Sequence, residues 1–283
     1  MKEKHLMSNT LFAAGAAVVV LGLCTTVATA TEPCGDFGEC KVLIEINSTD
    51  GDIGFHFLMD GDDLNSAEIQ DPNYITIFDD SASGPLLEQK LTETFAESAE
   101  PVCRNNLKED PGEVVVTLAE FLERWTPGTY HFFGSGDEGM STGETELTYE
   151  LPAAPTDLDF DDSVISWDSG DDLGECATKG QLNGLVMSGV LSTHPEDVEV
   201  NAWEVVFEPD VEDGDPLGKL KFTIRVAGDI ATKEVTVPSE YLAHLPDDTL
   251  VKIEVGAIGG EDNATLTEIF DICVTGTGVC PAP

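Results

Sequence analysis

Hydrophobic and polar residues alternate in short runs from residue 41 to residue 274, with turn residues between the runs. In the first half the runs are KVLIEIN (41–47), IGFHFLM (53–59), AEIQ (67–70), YITIF (74–78), TYHFF (129–133) and ETELTYEL (144–151). A period of two puts every second side chain on one face, the signature of a half-buried strand. So many short strands, rich in Val, Ile, Thr and Phe, predict an all-β sandwich architecture. One helix interrupts it near 118–125. Thr117 and Glu120 have capping-box spacing ahead of LAEFLERW, and Thr126-Pro127-Gly128 stops the run. Residues 86–115 fit strand or helix equally. The Pro/Ala stretch ELPAAPTD (150–157) has the composition of a linker. It predicts two tandem β-sandwich domains, 34–151 and 156–275, followed by a tail at 276–283.

In the second half VISWD (164–168), NAWEVVFE (201–208), KEVTVPSEYL (233–242) and LPDDTLVKIEVGAI (245–258) follow one another as strands. This part resembles a fibronectin type III domain. Trp167 matches the family's second-strand tryptophan, and Trp203-Glu204-Val205 matches its third-strand Tyr-x-Val. Leu245, Asp247 and Thr249 keep the offsets of its late Leu-x-Pro-x-Thr motif, with Pro246 one place early. Val251 stands where the family has its corner tyrosine, and residues 168–197 are a long insertion. The resemblance covers under half the chain and implies an immunoglobulin-like sandwich that interacts through loops or edge strands. In the first half, INSTDGDIGF resembles turns of C2-like and P-domain-like exported modules.

The first thirty residues change the picture of where these domains work. Lys2 and Lys4, an apolar run from Leu11 to Leu23 and Ala28-Thr29-Ala30 form the pattern of a cleaved secretory signal. Leu23 occupies the position where a lipobox needs a small residue before Cys24, so cleavage after Ala30 is expected rather than lipidation. The apolar run is short for a membrane span, and the expectation is an exported protein without membrane insertion. Beyond the leader stand six cysteines: Cys34, Cys40, Cys103, Cys176, Cys273 and Cys280. An even number after a secretory signal reads as three disulfides. Sequence alone leaves the pairing open. Cys34–Cys40, Cys273–Cys280 and Cys103–Cys176 is the most economical set, and the last pair would staple the two domains. Zinc is the alternative, but the spacings match no common zinc pattern.

Charge comes next. Asp and Glu number 55 against 13 Lys and Arg, a formal net charge of −42. Such a surface repels nucleic acid and anionic lipid. It suits high salt, divalent cations or a basic partner. Apolar residues make up 41% of the chain, enough to build cores.

The aspartates concentrate most visibly in EINSTDGDIGFHFLMDGDD (45–63). Asp52 and Asp60 would stand about 26 Å apart on an extended strand, so the two ends cannot share an ion. A hairpin between 53–59 and 67–70 would instead bring Asp71 and Asn73 back to Asp50 and Asp52. Those four offer the hard oxygen ligands that calcium prefers. Asp60, Asp62 and Asp63 would then meet Asp79 and Asp80 at the other end. Leu64 breaks the spacing of an EF-hand loop, and solvated turns are the competing reading. In the second domain a sandwich would gather Asp168, Asp171, Asp172 and Glu175 of the insertion with Asp229, Glu261 and Asp262 at one end. That end reads as binding loops for a cation or basic partner, or as an acidic surface with no ligand.

Catalytic signatures are sparse. Asp168-Ser169-Gly170 matches an aspartic-protease triplet, but in one copy where two carboxylates are needed. His56 and His131 lie mid-strand between aromatic residues. They read as outward-facing strand positions, with a soft-metal role as the alternative. Trp125, Trp167 and Trp203 read as packing. Asn47-Ser48-Thr49 and Asn263-Ala264-Thr265 match the glycosylation pattern and are discounted against a bacterial-type leader. The expectation is an exported, non-catalytic binding or adhesion module at the cell surface, with a protein or glycan partner and calcium as the cofactor to test. A structural subunit of a surface layer or filament, and the accessory domains of a secreted hydrolase, are the alternatives.

Overall fold

Strand β1 (Glu39–Asn47) carries out the alternation predicted for it. Val42, Ile44 and Ile46 are buried, while Lys41, Leu43 and Glu45 face the other way. Each such burial stabilises the fold by about 1.5–3 kcal/mol. The computed structural model describes residues 34–103, 114–212 and 214–274, which belong to one unit, Glu32–Pro283. The leader at 1–30, the tail at 276–283 and Cys280 lie outside the described residues.

Strand β2 (Ile53–Gln70) replaces the hairpin expected between 53–59 and 67–70. Straight, its 18 residues would run about 60 Å. It bends instead. Ile53–Asp60 pairs with β1, and Leu64–Gln70 pairs with β7 (Gly128–Gly136), with shifts of register between 60 and 66. Across the core Phe57 meets Phe78, ring centroids 4.7 Å apart, and Phe78 pairs with Ile69 in the second half of the same strand. The strand therefore turns a corner at Gly61–Asp63 and folds one continuous sheet back over the core. A Cβ on Gly61 would come within 2.7 Å of the Phe37 ring, so only glycine fits there. Asp63 takes a left-handed φ of 54°, which aspartate tolerates.

The two halves of β2 gain separate edge strands, β3 (Thr76–Ser81) on the second half and β4 (Leu91–Glu97) on the first. Helix α1 (Pro85–Gln89) connects them. The short β5 (Val102–Cys103) and β6 (Val115–Val116) lead to α2 (Leu118–Arg124), the predicted helix. Its capping box is formed: Thr117 N–H donates to Glu120 (2.9 Å), and Glu120 N–H donates to Thr117 Oγ1 (3.2 Å). Leu118, Phe121 and Leu122 face the core, and the Trp125 ring stacks on Phe55 at 3.9 Å. Strand β8 (Gly139–Leu147) closes the first sandwich.

The second sandwich packs two sheets. One holds β9 (Pro155–Asp161), β10 (Val164–Ser169) and β13 (Glu234–Thr236). The other holds β11 (Ala202–Pro209), β12 (Phe222–Ala227), β14 (Thr249–Ile258) and β15 (Ala264–Val274). Seven strands split three and four make an immunoglobulin-like sandwich. Trp167 of β10 and Trp203 of β11 meet in its core, 5.8 Å between ring centroids. Tyr241 of α4 (Ser239–Leu242) puts its hydroxyl 3.2 Å from the carbonyl of Phe207 and 3.0 Å from that of Leu220.

The sandwiches share a sheet rather than hang on a linker. Strand β1 pairs in parallel with β15 from Glu45–Ala264 to Asn47–Leu266, so one sheet runs from β12 to β8. Asn263 is buried at this seam and accepts a hydrogen bond from Ile44 N–H at 2.8 Å. Its amide donates toward Thr148 and Glu150 carbonyls (3.0 and 3.2 Å), which occupies the group a glycan would need. Residues 151–155 of the expected linker are buried. The insertion crosses to the first core: Leu173, Leu182 of α3 (Lys179–Ser188) and Leu191 pack there, and Cys176 is bonded to Cys103. Cys34–Cys40 forms as well, and Cys273 is disulfide-bonded, with its expected partner Cys280 outside the described residues.

Candidate metal centre

Asp50 is exposed in the turn between β1 and β2, and Asp52 forms a backbone bridge with Val102. Asp71 turns back on its own loop. Its carboxylate accepts from Asn73 N–H at 2.9 Å and Ile75 N–H at 2.8 Å, an Asx turn, and the Asn73 amide reaches it at 3.4 Å. The carboxylates of Asp50, Asp52 and Asp71 do not form a set within 4.8 Å of one another. Asp60, Asp62 and Asp63 line an open depression of 560 Å³ with Asp36 and Glu138, whereas Asp79 and Asp80 lie on β3 opposite Glu68 and Ala67.

The candidate binding loops run beside the seam. Asp171 pairs with Lys179 at 3.0 Å, Asp172 accepts from Gly174 N–H at 3.0 Å, and Glu175 N–H donates to the Ser48 carbonyl at 2.9 Å. Asp262 pairs with Lys41 at 3.2 Å; burial, then Asp262, Glu146 and Glu150, push the Glu261 carboxyl up. Both loops pack against residues 148–154. Asp168 lies near the end of β10 opposite Thr156, and Asp229 lies in the turn after β12.

A different group converges. Among the described residues one set of three potential metal ligands lies within 4.8 Å: Glu45, His56 and Glu100. Glu45 is on the outward side of β1, opposite Gly54 of β2. His56 is two residues on, on the same face, with Glu97 of β4 across from it. Glu100 comes from the segment that leads into Cys103. His56 is only 8% exposed, and its Nε2 has no hydrogen-bond partner among the described residues. Glu100 Oε1 is 3.7 Å from that nitrogen, within ion-pair range but too far for a hydrogen bond. A Cβ on Gly54 would sit 2.8 Å from His56 Nε2 and 3.1 Å from Glu100 Oε1, so the glycine leaves the space between them.

Burial pushes the Glu45 carboxyl up; His56 opposes this, while Glu100, Glu97 and Glu204 add to it. Burial also raises Glu100, with Glu97 and Asp52 adding and His56 opposing. Further along the face, burial lifts Glu254 to about 7, with Glu268 and Glu45 adding repulsion and Lys252 working against it. Carboxylates here are short of water.

Residues 53–59 pair with β1 and β4 rather than with 129–133, and only the second half of β2 reaches β7, so the two histidines are not neighbours. His131 pairs with Gln70 in the second half of β2 and stacks on Tyr74 at 4.7 Å. His56 is buried rather than outward in water. Sequence reasoning raised His56 and missed Glu45 and Glu100. Glu45 could have been found from strand parity; Glu100 could not, since nothing local aims it at the sheet.

No protein-family model matches the chain, and no curated protein matches it. Solved structures match at low identity. A tetra-tandem repeat from the extending region of a large adhesion protein is 10% identical with a TM-score of 0.26, covering 84% of this chain and 50% of that one. A 1.5-MDa bacterial ice-binding adhesin is 11% identical with a TM-score of 0.23, covering 83% and 64%. A run of titin domains is 11% identical with a TM-score of 0.25, covering 83% and 67%. The chain thus spans half the length of the first of these.

Proposed function

We propose that the chain is an exported, non-catalytic binding module that works at or outside the cell surface and grips a basic, partly apolar protein segment. The observation that carries this reading is the open edge of the first sandwich. Among the described residues strands β3 and β4 each pair only with β2, which leaves an edge on each. Between them Leu86 (50% exposed) and Phe95 (57%) rim a depression of 230 Å³ floored by Ala67, Ala82 and Leu91. Exposed apolar side chains grouped in this way mark interaction surfaces. Asp80 and Glu93 line the same depression, so a cationic segment fits its charge. Two disulfides support an oxidising, extracytoplasmic setting. The strand order and the Trp167–Trp203 pair support a fibronectin type III assignment for the second sandwich.

Binding of mature protein to arrays of cationic amphipathic peptides, and to the surface of the producing cells, tests this. Leu86→Asp with Phe95→Asp is expected to weaken both at least tenfold. Equal binding by the double variant, or turnover on a peptide and glycan panel, would overturn the proposal.

A further inference from the structure

The Glu45–His56–Glu100 group has features that an acidic surface patch lacks. It combines an imidazole with two carboxylates drawn from three separate segments. Its imidazole is nine-tenths buried, and its Nε2 has no hydrogen-bond partner among the described residues, with Glu100 Oε1 standing 3.7 Å away. A buried polar nitrogen left without a partner is costly unless something outside the chain satisfies it. The space in front of that nitrogen is kept open by the missing side chain of Gly54.

We propose that Glu45, His56 and Glu100 bind a first-row divalent transition metal, with zinc the ion to test. Imidazole with carboxylates suits zinc and its neighbours, whereas calcium takes six to eight oxygens. Three protein ligands and an open fourth position are an ordinary zinc arrangement. Zinc–ligand bonds of roughly 2.0–2.1 Å place tetrahedral ligand atoms about 3.4 Å apart. The 3.7 Å from His56 Nε2 to Glu100 Oε1 needs only a small inward shift, and the Glu100 side chain, 41% exposed, is free to make it. The ion's two charges balance the two carboxylates. Its place in the fold gives it a task. Glu45 pairs with Ala264 at the seam between the sandwiches, and Glu100 lies just before the Cys103–Cys176 disulfide. A bound metal ties the seam, the corner strand and the disulfide segment together.

The test is calorimetric titration of the intact, chelator-treated mature protein with Zn2+, Ca2+ and Mg2+ at fixed high ionic strength, with Co2+ as a spectroscopic probe. The expected result is one Zn2+ per chain, a visible Co2+ ligand-field band, and no comparable uptake of Ca2+ or Mg2+. Glu100→Gln removes an exposed ligand with little risk to folding and is expected to weaken Zn2+ at least tenfold. Gly54→Ala keeps every ligand but fills the space, and is expected to do the same. Asp79→Asn, on β3, is expected to leave affinity unchanged. Absence of stoichiometric Zn2+ uptake overturns the proposal. So does uptake indifferent to both Glu100→Gln and Gly54→Ala, or one that Ca2+ and Mg2+ displace equally. The first of these outcomes would mean that His56 and its two carboxylates form an ion-pair network alone.

Discussion

Two acidic regions of this protein behave differently for a physical reason. At the corner of β2, Asp60, Asp62, Asp63, Asp36 and Glu138 surround an open depression, and Asp62 and Asp63 are exposed. On the outer face of the shared sheet, Glu45, Glu100 and Glu254 are spread over β1, the segment after β4 and β14, and burial pushes all three carboxyls up. The first region is dense in sequence and bathed in water, where charges screen one another within about 10 Å at ordinary salt. The second is sparse in sequence, yet its members pay for lost hydration and include a buried imidazole. Carboxylate density marks a solvated surface; desolvation beside a second donor type marks chemistry.

Removing the disulfide behind the second region is expected to have the largest effect. Cys103→Ala with Cys176→Ala should cost about 2–5 kcal/mol by denaturant unfolding. It should also weaken Zn2+ binding, because Glu100 loses its nearby anchor. Loss of stability with unchanged Zn2+ affinity would separate the metal group from the seam. Next is a pH effect at Glu254. Its folded carboxyl holds a proton up to about pH 7, against an unfolded value of about 4.5, so the folded state binds more protons in that window. Its contribution to stability is therefore present below about pH 4.5 and lost as pH rises through about 7. The size is up to about 3 kcal/mol. In chelator at fixed salt, Glu254→Gln should flatten this slope of melting temperature against pH. An unchanged slope would place the desolvated charge elsewhere on the face.

Much of the fold was legible because it follows from local alternation. The strands at 41–47 and 164–168 and the capped helix at 118–124 all come from patterns within a few residues of each other. The corner inside β2 was not, because Gly61-Asp62-Asp63 reads equally as a turn and as a corner. What decides it is Phe37 and Leu64 closing on Gly61. The burial of 151–155 was hidden for a similar reason: Pro and Ala suit a linker and a tight seam alike. The site was half legible. His56 stood out as a residue type, but its partners come from β1 and from beyond β4, and only the register Glu45–Gly54 and His56–Glu97 brings them together.

The smallest expected effect tests the aspartate corner itself. Asp62 is exposed, so Asp62→Asn should change stability by less than about 0.5 kcal/mol. Any change should be a slight gain at low ionic strength, where removing one negative charge relieves repulsion across a chain of net charge −42. It should vanish in high salt, and calcium should raise the melting temperature of wild type and variant no more than magnesium does. A calcium-specific rise that Asp62→Asn abolishes would break the comparison. The corner would then be a site assembled by sequence density alone, and desolvation would no longer be what distinguishes the two acidic regions.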